Sequence, residues 1–218
     1  MLEDKYHKVL FERLGRLEAQ WSAVESAGTL IADRVCEGGK LYVHDRMGAV
    51  TSELCSRAGG LVVTRGLQAE GESGVEQFTQ SGELGDQDIV LFFSYRADDA
   101  RDLKLVDKIK DSGAAIVFIC PFEPEVPSGN DRLKDRGDIA IDTASGDEVG
   151  AVEVAGLEVK ICPTSGIVDV MAAYAVLGNF VTAMVARGKP PSVYKAIHLK
   201  DGRDYNRASR EQFEKVGY

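Results

Sequence analysis

The chain has 218 residues, 44% hydrophobic and 28% charged, with a formal net charge of −9 and a pI near 4.9. That length supports one well-buried core and predicts a single domain over residues 1–218. The acidic balance argues against nucleic acid or an anionic membrane surface as partner, and no run approaches the roughly 20 apolar residues of a membrane span.

In chain order, Leu10, Leu14, Leu17, Trp21 and Val24 recur at alternating helical spacings and share one face, so residues 1–35 are predicted as a helical segment. Such a stripe needs a partner, in the body of the domain or in a second subunit. The charge spread through residues 1–20 does not read as a secretory signal. A short apolar strand follows at 40–44 behind the turn signal Gly38 and Gly39, then a helix over 49–57 and an apolar run at 61–64. Residues 65–87 are polar and glycine-rich, without period. A continuous apolar strand is predicted at 89–93, and a helix over 99–111 with Leu103, Val106 and Ile109 on one side and Gly113 as its C-cap. Buried strands are predicted at 115–119 and 139–141. Strands apolar on both faces, alternating with helices, predict a doubly wound α/β fold around a parallel sheet. Residues 151–155 and 157–161 alternate around Gly156 as a small hairpin. Residues 164–186 form the most apolar helix, one that belongs in a core or an interface. Pro190 and Pro191 end it, and residues 190–218 read as a polar tail.

Cys36, Cys55, Cys120 and Cys162 are scattered, with no CxxC pair and no histidine nearby. This pattern predicts neither a zinc site nor a disulfide framework, and fits a reducing cytoplasm. No metal or cofactor is expected.

The order of these pieces resembles the SIS (sugar isomerase) phosphosugar-binding proteins, relatives of phosphoheptose isomerase. The resemblance is carried by SELCSRAGG at 52–60, by the strand closed by Ser94, by GLEVKICPTS at 156–165 and by KDGRDYN at 200–206. It implies a five-stranded parallel sheet of flavodoxin-like type behind a long N-terminal helix, with the site at the carboxyl ends of the strands. Ligands of open α/β sheets bind at those ends, near helix N-termini.

Two loops depart from the family pattern. The glycine- and serine-rich loop expected after the first strand is HDRMGA at 44–49, with Gly48 its one glycine. The serine-rich second loop is SYRADD at 94–99. Arg46 and Arg96 are candidates to bind an anion in place of the missing hydroxyls. Ser94 is placed to hold a phosphate or simply to cap a helix. Thr164 and Ser165 have the same two options at the start of the apolar helix, where the dipole favours an anion. Asp98 and Asp99 suit a helix start. Glu53 falls where the isomerases place a catalytic glutamate, and equally within an ion pair with Arg57 one turn on. His44, at the end of the first strand, is a candidate acid, base or donor. The family's isomerases carry a histidine on the last long helix. Residues 164–186 contain none, which leaves His198, aligned with an asparagine of the relatives, as the other candidate.

The expected function is binding of a phosphorylated sugar, as a sensor or accessory protein with degenerate phosphate loops, in a homodimer or tetramer. The alternatives are an aldose–ketose isomerase using a carboxylate base, and a non-catalytic oligomeric scaffold.

Overall fold

A computed structural model describes residues 1–55, 57–67, 84–123, 131–145 and 150–218. Most of the glycine-rich stretch expected to lack periodicity, residues 68–83, lies outside the described residues.

Five strands, β1 (Leu41–Asp45), β2 (Thr64–Gly66), β3 (Ile89–Phe93), β4 (Ala115–Cys120) and β5 (Ile139–Asp142), form one sheet in the order β2-β1-β3-β4-β5. Every pair is parallel. Strand direction alternates the side chains between two apolar layers. Leu41, Val43, Ile89, Leu91, Phe93, Ala115, Val117 and Ile119 face one layer, while Tyr42, Val90, Phe92, Ile116, Phe118 and Cys120 face the other. This is why the strands read as unbroken apolar runs.

The first layer is closed by α1 (Leu2–Glu18), α2 (Trp21–Cys36), α3 (Ala49–Leu54) and α5 (Ser165–Ala186). The second is closed by α4 (Ala100–Asp111). Against the expectation that no run approaches a membrane span, helix α5 has the length and composition of one; its buried face, Val168, Ala172, Val176 and Phe180, packs into the same core as α2. The two helices meet closely at Gly28, where a Cβ would stand 2.5 Å from that of Asn179.

Three local expectations change. The N-terminal segment is two helices, because the chain turns at Ala19 and Gln20. The Gln20 amide accepts from the Asp142 backbone N–H and donates to its carbonyl, both at 2.8 Å, docking this turn on the edge strand β5. Leu17 and Val24 of the predicted stripe are therefore core residues of the single chain. The predicted hairpin reduces to one antiparallel bridge, Val152 with Ile161, with Gly156 at φ 88° in its turn. Leu157 and Val159 stay exposed, so nothing extends the ladder. The tail contains a fifteen-residue helix, α6 (Gly202–Val216), anchored by Asn206, whose side chain bonds both backbone groups of Lys195.

Candidate functional site

The strand order reverses between β1 and β3, with β2 on one side of β1 and β3 to β5 on the other. In such sheets the crevice at this switch point, outside the carboxyl ends of the strands, is where ligands bind. Polar side chains gather at those ends in two groups, one on each face of the sheet.

On the α4 side, Ser94 donates its hydroxyl proton to Asp102 at 2.6 Å. Arg46 pairs with Asp99 at 3.0 Å and also with Asp102. Asp99 is the N-cap of α4, accepting from the backbone N–H groups of Arg101 and Asp102. Against the burial that would raise it, the Arg101 N–H and the Arg46 guanidinium hold the Asp99 carboxyl below its ordinary range. Arg96 pairs with Asp98 at 3.2 Å. Both arginines proposed for an anion are thus engaged with carboxylates, and Ser94 already has an acceptor.

His44 lies on the same face, its ring centroid 4.5 Å from that of Phe92. Its Nδ1 meets the Leu67 carbonyl at 3.2 Å, so Nδ1 carries the proton and Nε2 is left as an acceptor. Nε2 is buried and has no partner. Burial holds the imidazole below its ordinary pKa, against the raising effect of the Leu67 bond, so it is neutral at physiological pH.

On the α5 side, the Asp45 carboxylate accepts from the backbone N–H groups of Met47 at 3.1 Å and Val50 at 2.7 Å. This turns the chain out of β1 through Gly48, whose φ of 73° suits glycine, into α3. The Tyr95 hydroxyl also bonds Asp45; burial, then the charges of Asp45 and Asp169, push that phenol up to about 12. Asp169 projects from α5 and is 2% exposed, and its Oδ1 has no partner. Burial, reinforced by the Asp45 charge, raises its carboxyl well above the ordinary range. The Cys120 thiol is pushed up by burial and by the charges of Asp142 and Asp169.

The start of α5 completes this edge. Cys162, at φ 61°, and Pro163 lead into Thr164, a buried residue whose hydroxyl accepts from the Arg13 guanidinium of α1. Ser165 and Gly166 then open the helix with no side chain capping it. Arg16, one turn beyond Arg13, pairs with Asp142 at 3.2 Å.

The remaining candidates separate. Glu53 pairs with Arg57, and its Oε1 accepts from the Tyr174 hydroxyl at 3.2 Å. His198 is exposed in the turn before α6. An open cleft of about 520 Å³ between Lys5 and the 153–160 turn includes none of these residues. Sequence reasoning missed Arg13, Asp45, Tyr95 and Asp169. The one available signal was Asp169 itself, a lone charge in the most apolar helix.

A family model described as a domain of unknown function, DUF2529, matches residues 9–147. A UPF0309 protein of Listeria monocytogenes is 24% identical, the match covering 94% of this chain and 92% of that protein. One from Brucella canis is 26% identical over 97% and 96% of the two chains. Among solved structures, a phosphoheptose isomerase from Francisella tularensis superposes with a TM-score of 0.59 at 14% identity, covering 81% of this chain and 95% of that one. The phosphoheptose isomerase from Neisseria gonorrhoeae gives 0.53 at 10% identity, covering 84% and 100%. The chain shares the SIS fold of these enzymes.

Proposed function

The chain belongs to the DUF2529 family and carries the SIS fold, and from that premise we propose that it binds a small phosphorylated sugar as a sensor or accessory protein. The observation that carries this reading is the start of α5. There an uncapped helix N-terminus, the hydroxyls of Thr164 and Ser165, and the Arg13 guanidinium come together at the carboxyl edge of the sheet. Backbone N–H groups at a helix start, with the helix dipole behind them, suit a phosphate, and an arginine adds charge-assisted bonds. The arginines of the loops after β1 and β3 would have to leave Asp98, Asp99 and Asp102 to reach an anion.

Thermal-shift measurements against sugar phosphates and the corresponding free sugars test the reading. A ligand that binds only the native state raises the melting temperature by mass action. Stabilisation by phosphorylated sugars, lost in Arg13→Ala, is expected. Equal responses to free sugars, or none to any phosphate, would overturn it.

A second reading, an aldose–ketose isomerase, draws on Glu53, whose Oε1 accepts from the Tyr174 hydroxyl. Wild-type protein that exchanges no solvent deuterium into a bound sugar phosphate would end it. In either case we infer a cytoplasmic homo-oligomer, a dimer or tetramer. Ile167, Met171 and Tyr174 recur at helical spacing along α5 and are 48%, 44% and 40% exposed, an apolar face suited to a second copy.

A further inference from the structure

The last segment of the chain is bound to itself more closely than to the domain. Gly188, at φ 69°, with Pro190 and Pro191 behind it, separates this segment from α5. Within it, the Asn206 amide bonds the Lys195 backbone N–H and carbonyl at 2.7 and 2.8 Å, and the Lys195 ammonium pairs with Asp201 at 2.7 Å. The Arg210 guanidinium lies 5.4 Å from the centre of the Tyr194 ring. Gly202 passes so close to the Ala196 carbonyl that a Cβ there would run into its oxygen. These contacts tie α6 to residues 194–196, so neither leaves the domain without the other.

The attachment to the domain is narrower. The buried positions of α6 are Gly202, Asn206 and Ser209, none of them a large apolar side chain. Val193, Phe213 and Tyr218 pack on the core and are only partly buried. The Arg65 guanidinium of β2 sits 5.6 Å from the Phe213 ring centre. The remaining hold is a short antiparallel seam between residues 192–194 and 59–62. There the Val62 N–H donates to the Ser192 carbonyl and the Tyr194 N–H to the Gly60 carbonyl, each at 2.9 Å, and the Gly59 N–H to the Tyr194 carbonyl at 2.7 Å. A segment with few buried apolar contacts and a short seam opens at lower free energy than the core of the same protein. The seam covers the chain between α3 and β2, the stretch that joins Arg57, the ion-pair partner of Glu53, to the edge of the sheet.

We propose that residues 192–218 are a strap that opens as one unit about residues 188–191, uncovering the backbone of residues 59–62 and freeing the loop that carries Arg57. Closed, the strap fixes that loop and pairs its backbone groups. Open, it leaves the Gly59 and Val62 N–H groups and the Gly60 carbonyl as an unpaired edge, of the kind that accepts another extended segment. The sheet persists through the opening, since β1, β3, β4 and β5 pair with one another and not with the strap.

Amide hydrogen exchange of the full chain, followed residue by residue, tests this. The amides of α6, Tyr194, Gly59 and Val62 should share one level of protection, about tenfold or more below that of the β3 and β4 amides. Phe213→Ala should lower the protection of that whole set together and leave β3 and β4 unchanged. Protection of the set equal to that of β3 and β4 would overturn the proposal, because the segment would then open only when the whole domain unfolds. Faster exchange of α6 alone, with Gly59 and Val62 as protected as β3, would overturn it equally, because a fraying helix uncovers nothing. The wild-type pattern decides between these outcomes whether or not the variant folds.

Discussion

The two faces of the switch point use the same residue types to opposite ends. On the α4 side, Ser94, Arg46, Asp99 and Asp102 satisfy one another, while His44 Nε2 and Asp98 Oδ2 beside them are buried without partners. On the α5 side, Asp45 is satisfied by backbone and phenol while Asp169 is left with a bare buried oxygen. A network that is complete at rest has little to offer a ligand, since each new contact must first break an old one. A network with an unmet buried acceptor gains by acquiring a donor. The difference shows that a polar cluster at the carboxyl end of a sheet is not by that fact a binding site, and that its unmet hydrogen bonds are the better guide.

The largest effect is expected from breaking the complete network of Ser94, Arg46, Asp99 and Asp102. Asp102→Ala leaves Ser94 and Arg46 without their shared acceptor, at a cost of roughly 2–3 kcal/mol in urea unfolding. Arg46 is partly exposed and recovers some solvation, which keeps the loss below that of a fully buried pair. Sugar-phosphate affinity should hold; a collapse of affinity in folded protein would move the phosphate to the α4 side.

Next comes the incomplete side, where removal should help. The Asp169 carboxyl is raised in the fold, so the native state holds its proton more tightly than the unfolded chain does. Its contribution is therefore fully present below the ordinary carboxylate pKa of about 3.9 and is lost as pH rises through the native value. Asp169→Asn should stabilise the ligand-free protein at alkaline pH by about 1 kcal/mol, because a neutral amide there avoids ionising a buried carboxyl. Little gain is expected in acid, and melting temperatures across pH read the difference. A variant less stable than wild type at high pH would mean that Asp169 is already satisfied.

Smallest is Glu53→Gln, which weakens an exposed one-turn pair with Arg57 by roughly 0.5 kcal/mol or less. If turnover of a sugar phosphate exists and vanishes in this variant, the chemistry sits outside both networks and the comparison has to be redrawn around α3.

The sheet was legible because its strands are buried on both faces: residues 89–93 and 115–119 admit no other reading than core strands between helices, and the structure has β3 and β4 there. Serine and threonine at strand and helix junctions likewise marked Ser94 and Thr164, since a polar residue closing an apolar run falls at the sheet's edge. The helix of residues 202–216 was not legible. Its buried positions are Gly202, Asn206 and Ser209, which leave no apolar period to find. Nor was the break at Gln20, which depends on a side-chain amide meeting the edge of a strand far along the chain.

What the sequence by itself determined is the layering, because burial of apolar side chains is a local choice repeated at every strand and helix. Which polar residues would be satisfied was decided only by the tertiary structure. Arg46 follows Asp45 in the chain, yet parallel pairing and strand alternation send the arginine to the carboxylates of α4 and leave its neighbour beside Asp169. Charge pairing depends on distance through space, and nothing in the spacing of these residues along the chain encodes it.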